Sequence, residues 1–102
     1  MSVKAIDKIG FENEVLNGKG VCLVDFWASW CSPCLMLAPT IEELSEEVAG
    51  VGFYKVNIDE YPEIAMDYKI MSIPTVMVFE NGEVRGKLVG LRDKAEYEQL
   101  LG

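Results

Sequence analysis

Apolar positions along this chain fall into two rhythms, which together lay out a strand–helix–strand core. Val21 to Trp27 (VCLVDFW) is a nearly unbroken apolar run rich in β-forming residues, the pattern of a strand covered on both faces. From Pro33 to Val48 the spacing turns helical: Leu37, Ile41, Leu44 and Val48 form one stripe, and Glu42, Glu43, Glu46 and Glu47 fall mostly elsewhere. Pro39 lies inside this helix and is expected to kink it. Gly50 and Gly52 punctuate before a second strand, Phe53 to Ile58. The unit predicts a right-handed parallel crossover.

Upstream, Ile6, Ile9, Val15 and Leu16 stand at near-helical spacing, and Asn17-Gly18-Lys19-Gly20 ends that helix. Downstream come a short helix from about Pro62 to Tyr68, then Thr75 to Phe79, Asn81-Gly82, and Val84 to Val89. Asn-Gly between two β-rich runs predicts a tight antiparallel hairpin. Asp93 suits the N-cap of a closing helix, Lys94 to Leu101. With no repeat or linker-like stretch, residues 1–102 read as one α/β domain, a mixed central sheet flanked by helices on both faces.

Charge and cysteine content narrow the chemistry. Seventeen acidic residues against nine basic ones give a net charge of -8, which disfavours nucleic acid as a partner. No apolar run approaches a membrane span or resembles a secretory signal, so the expectation is a cytoplasmic monomer with no membrane partner. In that compartment a close cysteine pair points to metal binding or catalysis rather than a structural staple. The absence of histidine excludes cysteine–histidine nucleophiles and mixed zinc sites, and three cysteines cannot supply a four-thiolate centre. Thiol–disulfide exchange, a two-thiolate Cu(I) site, or an inert pair remain.

Cys31 lies where the buried strand hands over to the helix, with Cys34 one turn further on. Unpaired N–H groups and the positive end of the helix dipole favour a thiolate there. A free cysteine is only about 3% thiolate at pH 7, and lowering its pKa by about 1.5 units makes it about half thiolate. Residues i and i+3 of a helix lie about 5–6 Å apart at Cβ, close to disulfide geometry. Pro33 fits the first helical turn, where its missing N–H leaves nothing unpaired. Cys31 is therefore expected to attack and Cys34 to resolve.

The segment V-D-F-W-A-S-W-C-S-P-C resembles the active-site segment of the thioredoxin family, whose usual form is W-C-G-P-C. The likeness continues through Lys55-Val56-Asn57-Ile58-Asp59, Ser72-Ile73-Pro74-Thr75, Phe79 to Val84, and Val89-Gly90, in the expected order. It implies a thioredoxin fold and a protein dithiol–disulfide oxidoreductase that reduces target proteins. A separate thioredoxin reductase would restore the dithiol; no G-x-G-x-x-G is present, and no cofactor or metal is expected. Ser32 replaces the usual glycine and Leu35 a common lysine, which removes a nearby positive charge. Position 33 is proline rather than the histidine of related isomerases and oxidases, which favours a reductase. An isomerase or oxidase on the same fold, or a non-catalytic docking module, are the alternatives.

Further assignments follow. Asp25 interrupts an apolar strand, as a carboxylate emerging at a sheet edge or as a buried acid able to take the Cys34 proton; the resemblance favours the second. Lys55 is either a solvated lysine or a neighbour that tunes Asp25. By resemblance, Ile73-Pro74 is a cis peptide facing the cysteines, and its backbone pairs with an extended target segment. Trp30, Ser32, Pro33, Ile73, Val89 and Gly90 would form an apolar rim around Cys31, with Trp27 as support. Cys22 reads as a small buried hydrophobe or a regulatory thiol. Met36, Met66, Met71 and Met77 read as core or groove filling.

Overall fold

The apolar run at 21–27 becomes β2 (Val21–Trp27), the middle strand of a five-stranded sheet in the computed structural model, which describes residues 3–102. Its neighbours are β3 (Val51–Asn57), parallel, and β4 (Thr75–Glu80), antiparallel. The edges are β1 (Val3–Ala5), parallel to β3, and β5 (Glu83–Val89), antiparallel to β4. The order β1-β3-β2-β4-β5 is the mixed sheet expected from the sequence.

Period-two alternation along the central strands sends their side chains into two cores. Cys22, Val24 and Phe26 of β2, with Met77 and Phe79 of β4, pack with Phe11, Val15 and Ile64 on one face. Leu23 and, from β4, Val76 and Val78 pack with Leu37, Ile41, Leu44 and Tyr97 on the other. The first face is covered by α1 (Lys8–Gly10), its π-helical continuation Phe11–Leu16, and α3 (Pro62–Asp67). The second is covered by α2 (Ser32–Glu47) and α4 (Lys94–Leu101). No helix among the described residues is long and apolar enough to cross a membrane.

Several local expectations are corrected. Strand β1 carries too short a pattern to register. Strand β3 starts at Val51, so Gly52 lies within it, while Gly50 makes the turn at a φ of 80°. The first helix begins at Lys8, capped by the Asp7 carboxylate, which accepts from the Gly10 N–H at 2.7 Å. Its π-helical stretch turns Phe11 and Val15 inward and leaves Ile9 exposed. Asp93 occupies the N-cap of α4 in extended conformation, but its side chain makes no capping bond. Of Met36, Met66, Met71 and Met77, only Met77 is buried.

The hairpin forms as the Asn-Gly signal demands. Asn81 and Gly82 both have positive φ, 52° and 85°, matching the twist of the flanking strands. The Asn81 side chain accepts from the Gly20 N–H at 2.8 Å, and the Asn81 N–H donates to the Gly20 carbonyl at 2.9 Å. A Cβ at position 82 would collide with the Leu16 carbonyl, so only glycine lets the two turns touch. That contact closes the pole of the molecule opposite the carboxyl end of β2.

Candidate active site

At the carboxyl end of β2 the chain turns through Ala28 to Trp30 into α2. The Cys31 N–H donates to the Ala28 carbonyl at 3.2 Å, and the Cys31 carbonyl accepts the first helical bond, from Leu35, at 3.1 Å. Cys31 is thus the N-cap of α2, extended at φ -93°, and its sulfur accepts the Cys34 N–H at 3.2 Å. That is the geometry expected to stabilise a thiolate, with a backbone donor and the helix dipole both directed at Sγ. Pro33 occupies the first turn, and Cys34 starts the buried stripe continued by Leu37, Ile41 and Leu44.

Cys31 and Cys34 are joined by a disulfide. Both are buried among Ala28, Trp27, Ile58 and Ile73. The Ile73–Pro74 peptide is cis, and the Ile73 carbonyl oxygen lies 3.8 Å from the Cys31 sulfur. The Pro74 carbonyl accepts the Gly90 N–H at 2.8 Å, while the Ile73 N–H has no backbone partner among the described residues. A strip of backbone beside the sulfur is thereby left for an extended chain to pair with.

Asp25, 4% exposed, lies two residues before Trp27 on the β2 face that packs beneath α2. Its Oδ1 has no hydrogen-bond partner. Burial pushes its pKa up from 3.8 to about 7, partly offset by Lys55, which stands directly across from it on β3. The Lys55 ammonium lies 5.3 Å from the centre of the Trp27 ring, so Trp27 supports the lysine that faces the acid. Cys22 is a buried thiol whose pKa burial raises to about 11, which keeps it protonated and unreactive at neutral pH.

The surface around Cys31 extends beyond the rim read from the sequence. A groove of about 340 Å³ is lined by Trp30, Ile58, Ile70, Met71, Ser72 and Ile73. Trp30 and Met71 are 68% and 91% exposed, unusual for such large apolar groups. The Trp30 indole N–H donates to Asp59 at 2.7 Å, which fixes the ring. Ser32, Pro33 and Val89 are also exposed, and Gly90 is half-buried at φ 88°. Met71, read from the sequence as core or groove filling, lines the groove, as does Ser72, which reads from the sequence only as part of the Ser72-Ile73-Pro74-Thr75 segment.

A thioredoxin family model matches residues 2–102. The chain belongs to the thioredoxin family. It is 54% identical over 95 residues to a thioredoxin of Rickettsia bellii, covering 92% of this chain and 90% of that one. A thioredoxin of Buchnera aphidicola is 49% identical over 92 residues, covering 89% and 85%. An M-type chloroplastic thioredoxin of Pisum sativum is 45% identical over 94 residues, which span 91% of this chain and 55% of that one. Like its family, the protein is a dithiol–disulfide oxidoreductase, with Cys31–Cys34 its redox-active bond.

One buried residue holds the rim without touching the sulfurs. The Tyr97 hydroxyl, from α4, donates to the Gly90 carbonyl and accepts the Arg92 N–H, both at 3.2 Å. Tyr97→Phe removes both bonds and leaves a backbone donor unpaired, a loss of about 1–3 kcal/mol. The expected result is a lower urea midpoint and a KM for a protein disulfide raised about threefold, with unchanged turnover of a small aromatic disulfide. Equal KM values for the protein substrate would show that the loop keeps its shape unaided.

Proposed function

We propose that residues 1–102 act as a single reducing thioredoxin domain. The Cys31 thiolate attacks a target disulfide, forming a mixed disulfide and releasing the target's other sulfur as a thiolate that takes up a proton. Cys34, losing its proton to Asp25, attacks the Cys31 sulfur. The second target thiol leaves, and the Cys31–Cys34 bond closes. Two electrons have then passed to the target, and a separate thioredoxin reductase returns them. Lys55 tunes Asp25.

The target binds over Trp30, Ser32, Pro33, Ile73, Val89 and Gly90, its backbone pairing beside Pro74 as an added strand. The observation that carries this reading is the Cys31 sulfur at the amino end of α2, accepting the Cys34 N–H, with the Ile73 carbonyl oxygen 3.8 Å away. A reducing compartment, the cytoplasm, is the setting in which such a dithiol is maintained.

Pro33 supports reduction as the direction of exchange. Equilibration against mixtures of reduced and oxidised glutathione tests it, since roughly 30 mV moves a two-electron equilibrium tenfold. The protein is expected to stay largely oxidised in mixtures that fully reduce a disulfide oxidase. A dithiol formed as readily as in an oxidase would move the assignment to an isomerase or oxidase.

A further inference from the structure

A second concavity adjoins the groove across the segment Ile70 to Ser72, which lines both. It measures about 180 Å³, and its walls include Met71, Ser72, Thr75 and Val89 together with two lysines, Lys69 and Lys87. Thr75 and Val89 are cross-strand partners at the ends of β4 and β5, immediately beyond Pro74 and Gly90. The concavity therefore begins immediately beyond the Ile73 backbone, beside which a target chain pairs. It is smaller than the 300–1,000 Å³ usual for a small-molecule site and suits a single side chain.

Its charge runs against that of the whole molecule. The chain carries -8, and carboxylates pair with Arg85, Arg92 and Lys94. Lys69 and Lys87 are both exposed, and neither has a carboxylate within ion-pair distance among the described residues. Lys69 also sits at a φ of 55°, where glycine or asparagine is the easier choice. Backbone geometry does not call for a lysine at this turn.

Reach supplies the register. Ile73 faces the attacking sulfur, and Thr75 lies two residues on, less than about 7 Å away because the cis Ile73–Pro74 bond shortens its step to about 2.9 Å. We propose that this concavity is a specificity subsite for an acidic side chain, Asp or Glu, two or three residues from the target's disulfide cysteine. The subsite rests on the reading that targets are reduced through the edge at Pro74.

The test is kcat/KM for synthetic peptides, each with one intramolecular disulfide and with Glu, Gln or Lys two or three residues from a cysteine, dithiothreitol supplying electrons. The wild-type protein is expected to favour the Glu peptides over the Lys peptides by about threefold to tenfold at low ionic strength. The preference should shrink at high salt and vanish in Lys69→Gln/Lys87→Gln, which should reduce the Gln peptides as fast as wild type. Equal rates for Glu and Lys peptides, or a preference that survives in the double variant, would overturn the subsite. Failure to reduce even the Gln peptides would instead overturn the underlying reading, and the subsite with it.

Discussion

Cys31→Ser is expected to bring insulin reduction down to the rate of dithiothreitol alone. A serine hydroxyl cannot supply an anion at neutral pH, and the N–H and helix dipole directed at position 31 then have no thiolate to stabilise. Cys34→Ser should fail differently. It keeps the attacking sulfur and loses the one that displaces it, so mixed disulfides with targets should accumulate, visible by mass and released by reductant. Cys31 rather than Cys34 occupies the N-cap of α2, so the first attack falls to it. A Cys31→Ser protein that still turns over insulin would remove the mechanism. So would a Cys34→Ser protein that traps nothing.

Asp25 should produce the second large effect, in both rate and stability. With a folded pKa of about 7, the carboxylate fraction falls about tenfold per unit as pH drops below 7. The resolving step should fall with it, and in Asp25→Asn that step should be slow and lose its inflection near pH 7. Stopped-flow fluorescence of Trp27 and Trp30 reads this directly. Identical pH profiles for the two proteins would exclude Asp25 as the proton acceptor.

The same shift sets a stability slope. Because the folded pKa lies above the ordinary 3.8, the folded protein binds this proton more tightly than the unfolded chain. Its contribution to stability is fully present below about pH 4 and is lost as pH rises through 7. At 1.36 kcal/mol per unit, about 3 units set an upper bound of about 4 kcal/mol. Denaturant melts across that window should slope downward for the wild type and lie flatter for Asp25→Asn. Parallel slopes would show that the carboxyl is solvated in the folded state.

Much of this site was legible because its chemistry is compressed into local sequence. The run VCLVDFW is apolar on both faces, so its burial and central place followed from pattern alone, and a lone Asp25 inside it stood out. Cys31 and Cys34 are three apart at a strand-to-helix junction, and that spacing predicts their meeting. The placement of Pro74 against Cys31 came from family likeness, since forty-two residues separate the Ile73 carbonyl from the sulfur it faces.

What escaped was contact that local pattern does not encode. Three residues of β1 are too few to show a period, and they hold their place by pairing with β3. Ile9 follows helical spacing yet is exposed, because the π-helical widening shifts the inward face to Phe11 and Val15. Methionine signals apolarity without saying on which side of the surface it will lie, so core and groove both stay open for Met71, and only the fold places it, 91% exposed, in the groove lining. Tyr97 draws no reading of its own within the closing helix, and only the fold brings its hydroxyl to Gly90.

The bridge between Cys31 and Cys34 spans only Ser32 and Pro33. A cross-link over so small a ring takes little freedom from the denatured chain, roughly 2 kcal/mol in the chain-entropy picture. Opening it therefore surrenders only a modest part of what keeps the molecule together, and the sheet and its two cores carry the rest. A carrier built this way can be charged and discharged repeatedly without passing near collapse. Its durability is set by architecture remote from the sulfurs that do the chemistry.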